Sequence, residues 1–172
     1  MRSSLAWRPR NVVVSACGLL LLASAACTQP LRPTTTGPLP LTRFRADAVA
    51  YSAFSGYGAA TTLVVRDRDT WQATWNQIHG PLSPIPPLQV IDFSTEMVVV
   101  AALGGKPSSG YDIVLTGASE ADGMITVDVV TNSPGPNCVT LTVVTAPLDL
   151  ARMPRRDATV LFHLTPVVTS CQ

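Results

Sequence analysis

Four groups of residues in this chain have the types that chemistry needs: four cysteines, two histidines, a serine pair beside a lysine, and two carboxylates four residues apart. Ser108 and Ser109 lie close to Lys106, the composition of a serine–lysine nucleophile. No G-x-S-x-G elbow or S-x-x-K helix frames them, so their hydroxyls read as turn groups that bond the backbone. His79 ends a helical stretch and His163 lies in a strand pattern. Neither has HExxH or CxxC spacing around it, and both read as structural. Asp92 and Glu96 on a strand would share a side but stand about 13 Å apart, too far to share a proton. Asp92 reads instead as an acceptor for backbone N–H groups where a strand begins. No catalytic residue, metal or cofactor is expected.

The cysteines carry a clearer message. Arg2, Arg8 and Arg10 precede an apolar run from Asn11 to Ala26, which has the length of an export leader and is short for a transmembrane helix. Ser24, Ala25 and Ala26 then stand directly before Cys27. Small residues before a cysteine resemble the lipobox of bacterial lipoproteins, in which that cysteine is acylated and becomes the new N-terminus. The resemblance implies a signal peptide over residues 1–26, lipidation at Cys27 and, with Thr28 following, sorting to the outer membrane, facing the periplasm or the surface. The alternative is an ordinary secretory leader cut near Ala26. Each methylene inserted in a bilayer contributes about 0.8 kcal/mol, so two or three acyl chains would hold the chain on the envelope. Cys17 leaves with the leader, and Cys138 and Cys171 remain as an even pair in an oxidising compartment. A disulfide between them is the expectation; free thiols or a redox pair would lack the usual CxxC spacing.

Composition sets the remaining bounds. The 172 residues are 47% hydrophobic and 13% charged, enough for a core and too sparsely charged for a disordered chain. The formal charge is +1, and removing the three leader arginines turns it to about −2. No basic run steers the chain to nucleic acid. Arg152, Arg155 and Arg156 form a small cluster that reads as a solvated loop.

The elements follow in order. Residues 27–42 are rich in Pro and Thr and read as a tether, leaving 43–172 as one β domain. Phe44 to Gly58 holds a candidate first strand, and Thr61 to Arg66 a β-branched one. Thr70 to His79 reads as a helix with Asp69 as N-cap and Gln72 completing a capping box. Its Trp71, Trp75 and Ile78 form an apolar face that packs on the sheet; lining a ligand groove is the alternative. PLSPIPP from Pro81 to Pro87 is a connector.

The centre is Asp92 to Leu115. The run EMVVVAAL from Glu96 to Leu103 does not alternate, so its strand must be covered on both faces. Gly104, Gly105, Pro107 and Gly110 then turn the chain, and YDIVLTG places Tyr111, Ile113 and Leu115 on one side. Together these read as a hairpin-like unit. Glu120 to Gly123 reads as a type I turn with a left-handed glycine, joining that strand to Met124–Thr131. CVTLTVVT from Cys138 reads as a further strand with Val139, Leu141 and Val143 facing in. Ala158 to Leu164 closes the set, with Val160, Phe162 and Leu164 on one face. The fold class is mainly β, with α+β as the variant: an antiparallel β-sandwich-like domain carrying one short helix.

Several of these features together resemble the protease complex subunit PrcB family: Trp71 and Trp75 on a short helix, Asp92-Phe93 before a valine-rich strand, GGKPSSGY at Gly104–Tyr111, P-G-P-x-C at Pro134–Cys138, and Thr145-Ala146-Pro147. Ser109 departs from the family, whose members often have a second glycine there. The resemblance covers about Phe44 to Leu164 and implies a secreted or lipidated, non-catalytic accessory subunit that binds an exported protease. A fainter similarity links KPSSGY to the N-P-T-T-G-Y loop of chagasin-type inhibitors of cysteine proteases and implies an inhibitor as the second reading. A structural envelope protein without a protease partner is the third. In the first two, Lys106, Pro107, Ser108, Ser109, Gly110 and Tyr111 form the contact with the protein partner. Tyr111 is read as pointing into the core, with the partner side as the alternative. The oligomeric state is left open.

Overall fold

The Glu96–Ala102 strand has neighbours on both edges and cover on both faces. Its flanks are Thr61–Val65 and Leu148–Pro154, both antiparallel to it. Met97, Val99 and Ala101 enter one core cluster with Ile113, Leu115, Ile125, Val127 and Val129 of the opposite sheet. Val98, Val100 and Ala102 enter another with Trp71, Trp75, Ile78 and Leu150. The unbroken apolar run follows from this double burial, in which each valine contributes about 1.5–3 kcal/mol.

The computed structural model describes residues 37–44, 53–80 and 83–171. The strands are β1 (Gly37–Pro38), β2 (Thr42–Arg43), β3 (Thr61–Val65), β4 (Glu96–Ala102), β5 (Asp112–Ala121), β6 (Met124–Pro134), β7 (Leu148–Pro154) and β8 (Thr159–Thr169), with one helix, α1 (Arg68–Ile78). They form two four-stranded sheets, ordered β1-β5-β6-β8 and β2-β7-β4-β3. All described pairings between these strands are antiparallel except β6 with β8. The expected mainly β fold with one short helix is therefore what the chain forms. The leader, Cys27 and part of the candidate first strand lie outside the described residues.

The helix packs by its predicted face, with Trp71, Trp75 and Ile78 buried. The segment before β4 satisfies both indoles: Trp71 Nε1 donates to the Gln89 carbonyl at 2.8 Å and Trp75 Nε1 to the Pro86 carbonyl at 2.9 Å. The N-cap is Asp67, not Asp69. Asp67 is extended at φ −146° and accepts from the Thr70 amide at 2.8 Å. Asp69 falls in the first turn, where the helix dipole favours an acid.

Five further expectations are corrected. β4 and β5 are not a hairpin, because β3 and β7 occupy both edges of β4 and the chain must cross to the other sheet. CVTLTVVT forms no regular strand: β5 and β8 take both edges of β6, leaving its inward-read Val139 and Leu141 101% and 71% exposed and Val143 exposed as well. The turn at Asp122-Gly123 has both residues at positive φ, 51° and 74°, the type I′ signature that matches strand twist. β8 runs on to Thr169, and Leu164 is exposed although Val160 and Phe162 pack on the core. The arginine cluster is engaged, not free: Arg156 Nε lies 3.0 Å from Glu120 Oε2, Arg155 donates to the Arg66 and Phe93 carbonyls, and Arg152 stands 3.6 Å from Glu96.

The last part of the segment read as tether also belongs to the β structure. Gly37 and Pro38 pair with Glu120 and Ser119, Leu39 is buried in the core, and Thr42 and Arg43 pair with β7. Arg43 pairs with Asp149, whose carboxylate also accepts from the Leu115 amide at 2.7 Å. This brace spans the two sheets beside the bulge at Leu115/Gly117.

Candidate functional site: a two-loop tip

Between β4 and β5 the chain must cross one sandwich layer, roughly 10 Å, within the nine residues from Leu103 to Tyr111. Gly104 makes the first bend at φ +74°, where a Cβ would lie 2.6 Å from the Ala60 amide nitrogen. Only glycine fits there. Gly110 makes the second bend at φ +89°, with Pro134 and Thr140 against it.

The segment between β6 and β7 holds this loop in place. Lys106 and Thr145 exchange both backbone hydrogen bonds, at 2.7 and 3.0 Å, and the Thr145 hydroxyl donates to the Ser108 carbonyl at 3.0 Å. The Ser109 amide donates to the Leu141 carbonyl at 3.0 Å, and the Leu141 amide donates back to Ser109 Oγ at 2.9 Å. Ser108 Oγ donates to the Ser109 carbonyl at 3.1 Å. Both hydroxyls thus serve the turn, as their sequence context indicates. Lys106 Nζ stands 5.7 Å from the Tyr111 ring centroid, a cation–π geometry.

The base of the second loop is cross-linked. Cys138 and Cys171 form a disulfide, S–S 2.00 Å, across a sequence separation of 33. Gly135 N donates to the Thr169 carbonyl at 2.9 Å beside it, which fastens the end of β6 to the end of β8. A disulfide of this kind fits an extracytoplasmic protein. Among the described residues no helix is long and apolar enough to cross a membrane.

The loop residues named by sequence are therefore gathered at one end of the sandwich, but they do not stand alone. Pro107 and Gly110 are exposed, while Lys106, Ser108, Ser109 and Tyr111 are half-buried. The larger apolar exposure belongs to the neighbouring loop: Val139, Leu141 and Val144, the last 74% exposed. Sequence reading missed these because CVTLTVVT alternates like a half-buried strand. A signal was present in the absence of any Asp, Glu, Lys, Arg or His from Val129 to Leu148, with Lys106 as the one charge in the facing loop. Such a surface can bury apolar area against a protein while desolvating no charge beyond Lys106.

The other candidate residues are placed elsewhere. His163 lies on an exposed sheet face, 3.2 Å from Asp128, and His79 is buried against Trp75 at 4.1 Å between ring centroids. Asp92 accepts from the Ser94 amide at 3.0 Å, and its carbonyl accepts from Glu96, the strand-start role expected of it. Hydrogen bonds from the Ser94 side chain and amide hold its carboxyl below the usual range. Among the described residues, no three His, Cys, Asp or Glu side chains gather as a metal site.

No curated protein and no solved structure matches the chain. Residues 97–154, which run from β4 through both tip loops to the end of β7, match the model of the PrcB C-terminal family.

Proposed function

We propose that the chain is an exported, lipid-anchored envelope protein that acts as a non-catalytic accessory subunit of a protease complex and meets its partner through the tip. The family match supports protease association, and it spans both loops. The observation that carries the reading is the pairing itself. A glycine- and proline-shaped loop, already fixed by hydrogen bonds from Leu141 and Thr145, is set beside the exposed Val139, Leu141 and Val144. Pre-ordering of this kind lowers the entropy lost on docking. Lys106, Pro107, Ser108, Ser109, Gly110 and Tyr111 form the polar and aromatic part of the contact, and the second loop supplies the apolar part. The tip lies at the Asp112 end of β5, remote from Glu120, where the chain enters the sheet at Gly37. The lipid anchor in this proposal is Cys27.

Substrate-like inhibition is less well supported. An inhibitory loop needs a free backbone to lie along a protease cleft, and Lys106 already uses its N–H and C=O on Thr145.

Purification of the full chain from its envelope in mild detergent tests the proposal. An exported protease, identified by mass spectrometry, is expected with the natural chain and absent with Leu141→Asp, a surface change that should leave the circular dichroism spectrum unaltered. Recovery of no protease would leave a structural envelope role instead. The mass of the mature N-terminus checks the acyl group on Cys27.

A further inference from the structure

The side of the sandwich formed by β8 and β3 presents backbone that pairs with nothing among the described residues. Each strand ends its sheet. Arg66, just after β3, donates to the Ala158 and Arg156 carbonyls just before β8, so the two edges lie on the same side.

The direction of the β8 peptide groups can be read from its parallel register with β6. The Thr169 carbonyl accepts from Gly135, so odd-numbered residues of β8 turn their N–H and C=O toward β6 and even-numbered ones turn theirs outward. Pro166 is even-numbered, and its missing N–H therefore costs β6 nothing. Val160, Phe162 and Leu164 present free donors and acceptors along the edge. Natural edge strands are guarded by lysines, other charges or proline; Pro166 closes this edge at one point and leaves residues 160–164 open. From Thr159 to Thr169 there is no Asp, Glu, Lys or Arg, and Leu161, Leu164 and Val168 are exposed.

We infer that this edge pairs with β8 of a second copy of the chain, antiparallel and centred on Phe162. Centred there, Val160 faces the partner's Leu164, Phe162 faces the partner's Phe162, and each of these pairs can exchange both hydrogen bonds. Centring on Leu164 would set Phe162 against the partner's Pro166, which has no N–H to give. The side chains agree with the backbone. Val160, Phe162 and Leu164 all point to the inner face, so the two-fold arrangement brings apolar residues together and covers Leu164, which is 47% exposed in the single chain. The uncharged strand has nothing to repel its own copy, and a strand of this kind satisfies the self-matching that a two-fold interface requires. The result joins two four-stranded sheets across one dyad, independently of what the tip binds.

The test uses the full chain in the envelope. In the pairing described, Leu161 and the partner's His163 form a non-hydrogen-bonded pair, whose Cα atoms sit about 4.5 Å apart, within disulfide reach. The double variant Leu161→Cys, His163→Cys is expected to form a covalent dimer on non-reducing gels. Ser119→Cys, exposed on β5 at the other side of the sheet, is expected to form none. Native mass spectrometry in detergent should show a dimer for the natural chain and its loss for Leu164→Arg, with an unchanged circular dichroism spectrum. A monomeric mass, cross-linking equally strong through Ser119→Cys, or capture of a different protein at 161 and 163 would each overturn the inference.

Discussion

Ser109 and Leu141 are bonded to each other twice: the amide of Ser109 reaches the Leu141 carbonyl, and the amide of Leu141 reaches the Ser109 hydroxyl oxygen. Thirty-two residues apart in sequence, they make one surface out of two loops. Replacing Ser109 with Ala removes the second bond and should cost about 1 kcal/mol locally. Hydrogen exchange at the Leu141 amide is expected to quicken while exchange in β4 stays unchanged. Unaltered exchange at Leu141 would show that the hydroxyl is not the latch.

Gly110→Val tests the second bend. At φ +89° a branched residue is strained, and its Cβ would press on Pro134 at 3.2 Å. The cost is roughly 1–3 kcal/mol, confined to the tip because β4 and β5 make their own sheet contacts. Denaturant unfolding should show a lower midpoint with an unchanged slope, and binding at the tip should fall with it.

The disulfide acts at the base of the second loop. For a separation of 33 residues, the chain-entropy relation gives a stabilisation of about 3–4 kcal/mol. Cys138→Ala with Cys171→Ala is expected to lose that amount in urea titration and to free the chain end after β8. A loss below 1 kcal/mol would mean that the bond from Gly135 to Thr169 and the β6–β8 ladder already fix this end.

Acid stability should reflect Asp67 and Asp92. The Thr70 amide holds the Asp67 carboxyl below its usual range, and the Ser94 hydroxyl does the same for Asp92. Because both values are depressed on folding, their contribution is complete above the unfolded value of about 4 and fades as the pH falls through the folded values. Stability should therefore decline with acid below about pH 4, and Asp67→Asn, which still caps the helix without titrating, should flatten that decline. Parallel acid limbs for the natural chain and the variant would contradict this assignment.

The strand at β4 was legible because six apolar residues in a row can satisfy only a strand covered on both faces. Trp71 and Trp75 were legible through their four-residue spacing. Position within a sheet was not, because alternation reports a strand's faces and says nothing of its edges. GGKPSSG announces a change of direction, yet whether the chain folds back or crosses between sheets depends on β3 and β7 having already taken the edges of β4. CVTLTVVT fails for the same reason, with β6 saturated by β5 and β8. The helix start was displaced because Asp67 and Asp69 both suit a cap, and only the extended backbone of Asp67 separates them. The loop from Lys106 to Tyr111 could be read from its turn residues, whereas Val139, Leu141 and Val144 were hidden by a pattern that normally means burial.

The central claim is that a partner docks on the tip, and a photo-activatable residue placed at Leu141 in the full chain addresses it most directly. Val90, 92% exposed beside the helix, serves as the comparison position. The account predicts a covalent adduct with an exported protease at Leu141, lost on adding Gly110→Val, and none at Val90. Adducts of equal yield at both positions, or none with a protease at Leu141, would contradict it.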